Sequence, residues 1–167
     1  MRRARPALTN QLQAALAGAL KQAGRSLSHD GVELRSGRFF HVKDSHVRME
    51  FGSDRVGDPG LDRPALVLKL WRDGFCFATP ASLSQPDPEK HSFKVVSDDW
   101  AYWAESGDAR DQYLFYWYER VLNDFLHHHK GDLRRERLDE LQTWIRAHHS
   151  GSEFRKADLA GDWGMPQ

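Results

Sequence analysis

The sequence predicts an α+β fold in which an antiparallel β-sheet of about 5–6 strands, spanning residues 31–96, packs against an N-terminal helix and three to four C-terminal helices. Three observations carry this expectation. Apolar residues recur at three- and four-residue intervals near both ends of the chain, the spacing of one helix face. The middle third changes to alternation, as in Val47-Arg-Met-Glu-Phe51. Between Ala65-Leu-Val-Leu-Lys-Leu-Trp71 and Phe75-Cys-Phe-Ala-Thr79 stands Arg72-Asp73-Gly74, and Asp-Gly readily takes the positive φ angles of a tight hairpin turn. With 167 residues, 40% hydrophobic and 29% charged, the chain is read as a single domain over 1–167 that buries a core without disulfides, 153–167 forming a C-terminal helical appendage.

Taken in order, Leu8, Leu12, Ala15, Leu16, Ala19 and Leu20 predict a helix from about Ala7 to Ala23, stopped by Gly24 and suited to lying across a sheet. Val32–Arg35, Phe39–Val42 and Val47–Phe51 follow as a meander, with Ser36-Gly37 turning the first pair. Gly52–Pro64 and Pro80–His91 read as surface connections on either side of the hairpin, and Ser92–Val96 as the last strand. From Ser97 onward the pattern reads as helical. A short helix capped by Ser97 or Asp98 carries Trp100 and Trp103 and ends at Gly107. A long one runs from Ala109 to Lys130 and closes at Gly131. A last one, Leu133–His149, places Leu138, Leu141, Ile145 and His148 on one stripe.

Lysine plus arginine and aspartate plus glutamate each total 24, so the overall charge supplies no attraction to nucleic acid or anionic membranes. The single Cys76 lies within an apolar strand pattern and forms no intrachain bridge, which fits a reducing, cytoplasmic setting. The basic start Met1-Arg-Arg-Ala-Arg-Pro precedes a stretch broken by Asn10, Gln11 and Gln13, which reads as a helix rather than an export signal. No stretch approaches the ~20 apolar residues of a membrane span.

The run Tyr113-Leu-Phe-Tyr-Trp-Tyr118 is the most unusual local feature. On the expected long helix it reads as a buried central element, or as a partner-binding surface of Tyr113, Tyr116 and Trp117 joined by Trp103. The same helix places Asp124 and His128 four residues apart on one face, where they would supply two ligands to a divalent metal, with His148 or His149 as a third. Histidine at a helix C-terminus equally serves the helix dipole. Asp98, Asp99, Glu105, Asp108 and Asp111 cluster where carboxylates serve as caps, and no Gly-x-Ser-x-Gly, phosphate loop or dinucleotide fingerprint is present. No catalytic residue and no cofactor is therefore assigned from motifs.

Lys156-Ala-Asp-Leu-Ala-Gly-Asp-Trp-Gly-Met-Pro-Gln167 resembles the first helix and turn of a helix-turn-helix motif, with Gly164 at the turn and Met165 as the apolar residue after it. In that family the following recognition helix enters the major groove, and no such helix follows here. The resemblance implies a DNA-associated regulator, to which Arg2, Arg3, Arg5 and Lys156 would contribute phosphate contacts. No family is suggested by residues 1–155.

These observations support, first, a non-catalytic binding or regulatory module that engages another macromolecule, a protein before a nucleic acid and not a membrane, through an aromatic-rich surface. The alternatives are the DNA-associated regulator and a metal-assisted hydrolase centred on Asp124, His128 and His148.

Overall fold

In the computed structural model, residues 10–22, 24–47, 62–71, 74–85, 92–104, 109–115 and 118–148 are described. They form a mainly antiparallel β structure rather than the expected α+β layers. The elements are α1 (Asn10–Gln22), β1 (Arg38–Lys43), β2 (Asp62–Leu70), β3 (Phe75–Ser82), β4 (Ser92–Val95), β5 (Trp100–Trp103), β6 (Gln112–Phe115), β7 (Glu119–Leu122), β8 (His127–Leu133) and α2 (Arg135–His148). The strands make one curled sheet in the order β4-β6-β3-β2-β1-β8-β5, with β7 also paired to β3.

The expected hairpin forms as β2 and β3, and it is longer than the apolar runs alone. Ala65 pairs with Pro80 and Leu70 with Cys76. Beyond β2, β3 changes partner along its length: Phe75 to Ala78 pair with β7, and Ala81 and Ser82 with β6. Pro80 falls in the interval, where a missing ladder donor is tolerated, and the Thr79 hydroxyl donates to the Phe115 carbonyl at 2.7 Å. Ala65-Leu-Val-Leu68 is fully buried because both faces of the sheet are covered. Leu66 and Leu68 join Phe39, Phe77, Leu114 and Leu133 beneath Leu138, Leu141 and Ile145 of α2. On the opposite face Ala65 and Val67 join Phe40, Val42, Cys76, Val121 and Leu126, with Leu34 and Val47 over them.

The long helix expected over 109–130 is absent; β6, β7, a 3-10 turn at Asn123–Phe125 and most of β8 occupy that stretch. Aromatic residues favour a pleated surface, and a segment apolar on all sides suits a strand covered on two faces as well as a buried helix. Nor is there a helix over the tryptophans. A single 3-10 turn, Ser97–Asp99, has Asp99 accepting the Val96 N–H at 2.8 Å, and β5 then pairs with β8. Gly131, expected as a helix stop, lies inside β8 opposite Trp103. A Cβ there would sit 2.7 Å from the Tyr102 carbonyl oxygen and 2.8 Å from Trp103 Cε3.

Smaller corrections follow the same logic. Val32–Arg35 is not a strand; only an isolated bridge joins Leu27 and Glu33. Val47 ends a 3-10 turn, Asp44–Val47, and residues 48–51 lie outside the described residues. The apolar stripe of α1 does not lie on the sheet, since Leu12 and Leu16 are about half exposed. The mainly β architecture also conflicts with a helix-turn-helix-like description of the chain, and residues 156–167 lie outside the described residues, as does the expected appendage over 153–167. Among the described residues no helix is long and apolar enough to cross a membrane.

Gly131→Ala is expected to destabilise the protein by about 1–3 kcal/mol, because backbone and an indole ring block the added methyl. Urea unfolding monitored by tryptophan fluorescence measures it, and an unchanged midpoint would contradict the close approach of β5 to β8.

Candidate metal centre

Three strands end together at one margin of the sheet, and each delivers a side chain able to bind a cation. On β1, His41 pairs with Pro64 of β2, and Lys43 with Asp62. Residues two apart share a face, so Asp62 lies on the same side as His41. On the other flank of β1, His41 pairs with His127 of β8. One ligand atom from each of His41, Asp62 and His127 lies within 4.8 Å of the other two.

The hydrogen bonding of His127 adds to this. Its Nδ1 lies 3.4 Å from the Phe125 carbonyl and its Nε2 lies 3.2 Å from Asp62 Oδ2. Carbonyl and carboxylate both only accept, so the neutral ring donates to one of them: with its proton on Nε2 it donates to Asp62, and with its proton on Nδ1 it donates to the Phe125 carbonyl and turns the Nε2 lone pair toward Asp62, where a cation fits between them. Metal-binding histidines commonly donate their other N–H to a carbonyl in this way. Burial lowers the His41 pKa, aided by the positive charge of Lys130 and opposed by Asp62, so near pH 7 the ring is neutral and offers a lone pair.

Beside this cluster lies an open groove of about 580 Å³, and His127 borders it. Its walls include Lys43 and His46 from the end of β1 and the turn after it. His46 stacks on Phe125, their rings 3.9 Å apart and 11° from parallel. Burial, reinforced by Lys43, lowers the His46 pKa. Across the groove, Asp124 Oδ1 lies 3.4 Å from His29 Nδ1, and Asp30 accepts the His128 backbone N–H at 2.7 Å.

Asp124 and His128 thus line one groove, though from a 3-10 turn and a strand rather than from one helix face. His148 is the last residue of α2, and its side chain is outside the description. Trp103 packs against the core beside Phe39 and Trp100, with Lys130 Nζ 5.9 Å from its ring. Tyr113 is half-buried, Lys94 Nζ lying 5.9 Å from its ring. Tyr116, Trp117, Arg2, Arg3, Arg5 and Lys156 lie outside the described residues. Of the expected carboxylates, Asp99 pairs with Arg137 at 3.3 Å and Asp111 with Lys94 at 3.4 Å.

Sequence reasoning missed His41, Asp62 and His127. His41 sits inside an apolar strand, and Asp62 fell in a stretch read as loop. His127 was passed over because helical spacing favoured its neighbour. The available signal was the triplet His127-His-His129, which on a strand sends alternate rings to one face.

Two other titratable groups have structural explanations. Cys76 is completely buried, which pushes its thiol up to about 12 and leaves no thiolate for catalysis. Asp132 is subject to an upward push from burial, but the hydrogen bond from His129 at 2.9 Å and the charges of His129, Arg38 and Arg35 outweigh it. Its pKa is therefore held below the ordinary 3.8. Arg38 Nε approaches Asp132 Oδ1 at 3.2 Å as an ion pair without hydrogen-bond alignment.

No protein-family model and no curated protein matches the chain.

Cys76 is expected to resist a water-soluble thiol reagent in the native protein and to react fully once the protein is unfolded; rapid native labelling would contradict its burial. For Asp132 the depressed folded pKa means stabilisation present in full above the ordinary carboxylate range and lost as pH falls through the lower folded value. Asp132→Asn is accordingly less stable than the parent near pH 7, and the gap closes as acid protonates the parent's carboxylate. Thermal melts at stepped pH read this directly, and a gap that widened on acidification would reverse the sign.

Proposed function

We propose that the protein is a divalent-metal-binding domain, its centre formed by His41, Asp62 and His127, and that its reaction class is metal-assisted hydrolysis of a small polar ligand held in the adjoining groove. The convergence of three donor atoms within 4.8 Å from three neighbouring strands carries this reading. Two imidazoles and a carboxylate suit zinc and other divalent transition metals, with bonds of about 2.0–2.2 Å. Donors on one ion therefore lie no more than about 4.4 Å apart, and rotation of the exposed Asp62 side chain supplies the remaining closure. Three protein ligands leave a coordination position for water, the pattern of catalytic rather than structural zinc. A divalent metal held by His41, Asp62 and His127 would acidify a bound water and so supply hydroxide near neutral pH.

The groove supports the second half of the proposal. It adjoins the centre through His127 and offers the Lys43 ammonium, several imidazoles and the Phe125 ring. Both of its carboxylates, Asp30 and Asp124, have partners within the protein.

Titration calorimetry of the metal-stripped protein with zinc is expected to show one site, and His41→Ala, Asp62→Asn and His127→Ala each to weaken it by at least about tenfold. His148→Ala is expected to bind as the parent does, which separates this centre from one built on Asp124, His128 and His148. Hydrolysis of an activated nitrophenyl ester should follow metal loading and disappear in His127→Ala. The absence of zinc, manganese or cobalt binding to the parent would sink the proposal.

A further inference from the structure

The ligand His127 reaches its place through an irregularity in β8. Arg38 pairs with Asp132 and Phe39 with Gly131, yet His41 pairs with His127. Three residues of β8, His128, His129 and Lys130, therefore stand where a regular ladder would put one opposite Phe40. Were the ladder regular, His129 would face His41. Instead His129 turns to Asp132, which its Nε2 meets at 2.9 Å.

At the start of this bulge His128 adopts φ 51°, the one positive φ among the described residues other than glycine. A side chain is disfavoured in that region, so the conformation persists only where surrounding contacts impose it. One such contact is Asp30, whose Oδ2 accepts the His128 N–H at 2.7 Å. Asp30 is itself held at the tip of a tied turn. Buried Ser28 donates its backbone N–H to the Val32 carbonyl at 2.8 Å, its own carbonyl accepts the Gly31 N–H at 3.1 Å, and its hydroxyl accepts the Val32 N–H at 3.1 Å. The His29 N–H donates to the Leu126 carbonyl at 2.8 Å, which docks the turn against the chain entering β8.

We infer that Asp30 is a positioning residue for the metal centre: its carboxylate holds His128 in the left-handed conformation and so maintains the bulge that sets His127, rather than His129, opposite His41. This rests on the reading of His41, Asp62 and His127 as a metal centre. Asp30 need not touch the metal, because it acts through the backbone of the residue that follows a ligand.

Cobalt(II) titration followed by its visible absorption tests the inference in the full chain. Asp30→Ala is expected to weaken cobalt binding by about 10- to 100-fold and to alter the band shape, whereas Asp30→Asn, which keeps an acceptor oxygen, stays within about threefold of the parent. Glycine adopts φ 51° without a side-chain penalty, so adding His128→Gly to Asp30→Ala is expected to restore both affinity and spectrum. A general structural role for Asp30 would not be rescued in this way. In the His128→Gly background, Asp30→Ala is expected to change nothing, a comparison that stands even if Asp30→Ala alone folds poorly. Equal cobalt binding by the parent and a folded Asp30→Ala would overturn the inference while leaving the centre intact. A deficit that His128→Gly fails to repair would overturn it too. No cobalt binding by the parent would remove the centre itself.

Discussion

The burial of β1 on both faces is the constraint around which the molecule is arranged. Phe39 and Phe40 are adjacent, point to opposite sides, and are both wholly excluded from solvent. One side needs α2 and the tryptophans of β5; the other needs Leu34, Val47 and Leu126. Burying a phenylalanine stabilises by about 1.5–3 kcal/mol, so neither face is dispensable in a fold of ordinary marginal stability. Because the backbone of β1 is also removed from water, its polar groups must be met by neighbours, here β2 and β8. The same pairing brings three strand ends to one margin and places a histidine of β1 between an aspartate of β2 and a histidine of β8. The candidate centre is thus a by-product of the packing that sustains the core.

The sequence resolves the fold where a local preference and the global arrangement agree. Asp73-Gly74 between apolar runs leaves little alternative to a hairpin, and the stripe of Leu138, Leu141 and Ile145 is amphipathic at one period only. It misleads where one pattern serves two structures. Tyr113 to Phe125 is apolar enough to satisfy either period, and what decides is the availability of β3 as a partner, a contact made across more than thirty residues. Gly131 is instructive in the same sense. At the end of an imagined helix it is a stop signal, while within β8 it is the gap into which two indole rings fit.

The groove was half legible. Asp124 and His128 were singled out and do meet there, but helical spacing was the wrong reason. His41 and Asp62 stand 21 positions apart and His127 far beyond, so their meeting depends on strand register, which no local window contains.

The detour in β8 adds an even number of residues to the strand, and evenness matters. Side chains alternate, so a detour of two leaves Leu133 facing inward and Asp132 facing Arg38 without any change in the parity of the strand. The run of three histidines is therefore a length-sensitive cassette, in which removing two residues would bring a different imidazole to the margin.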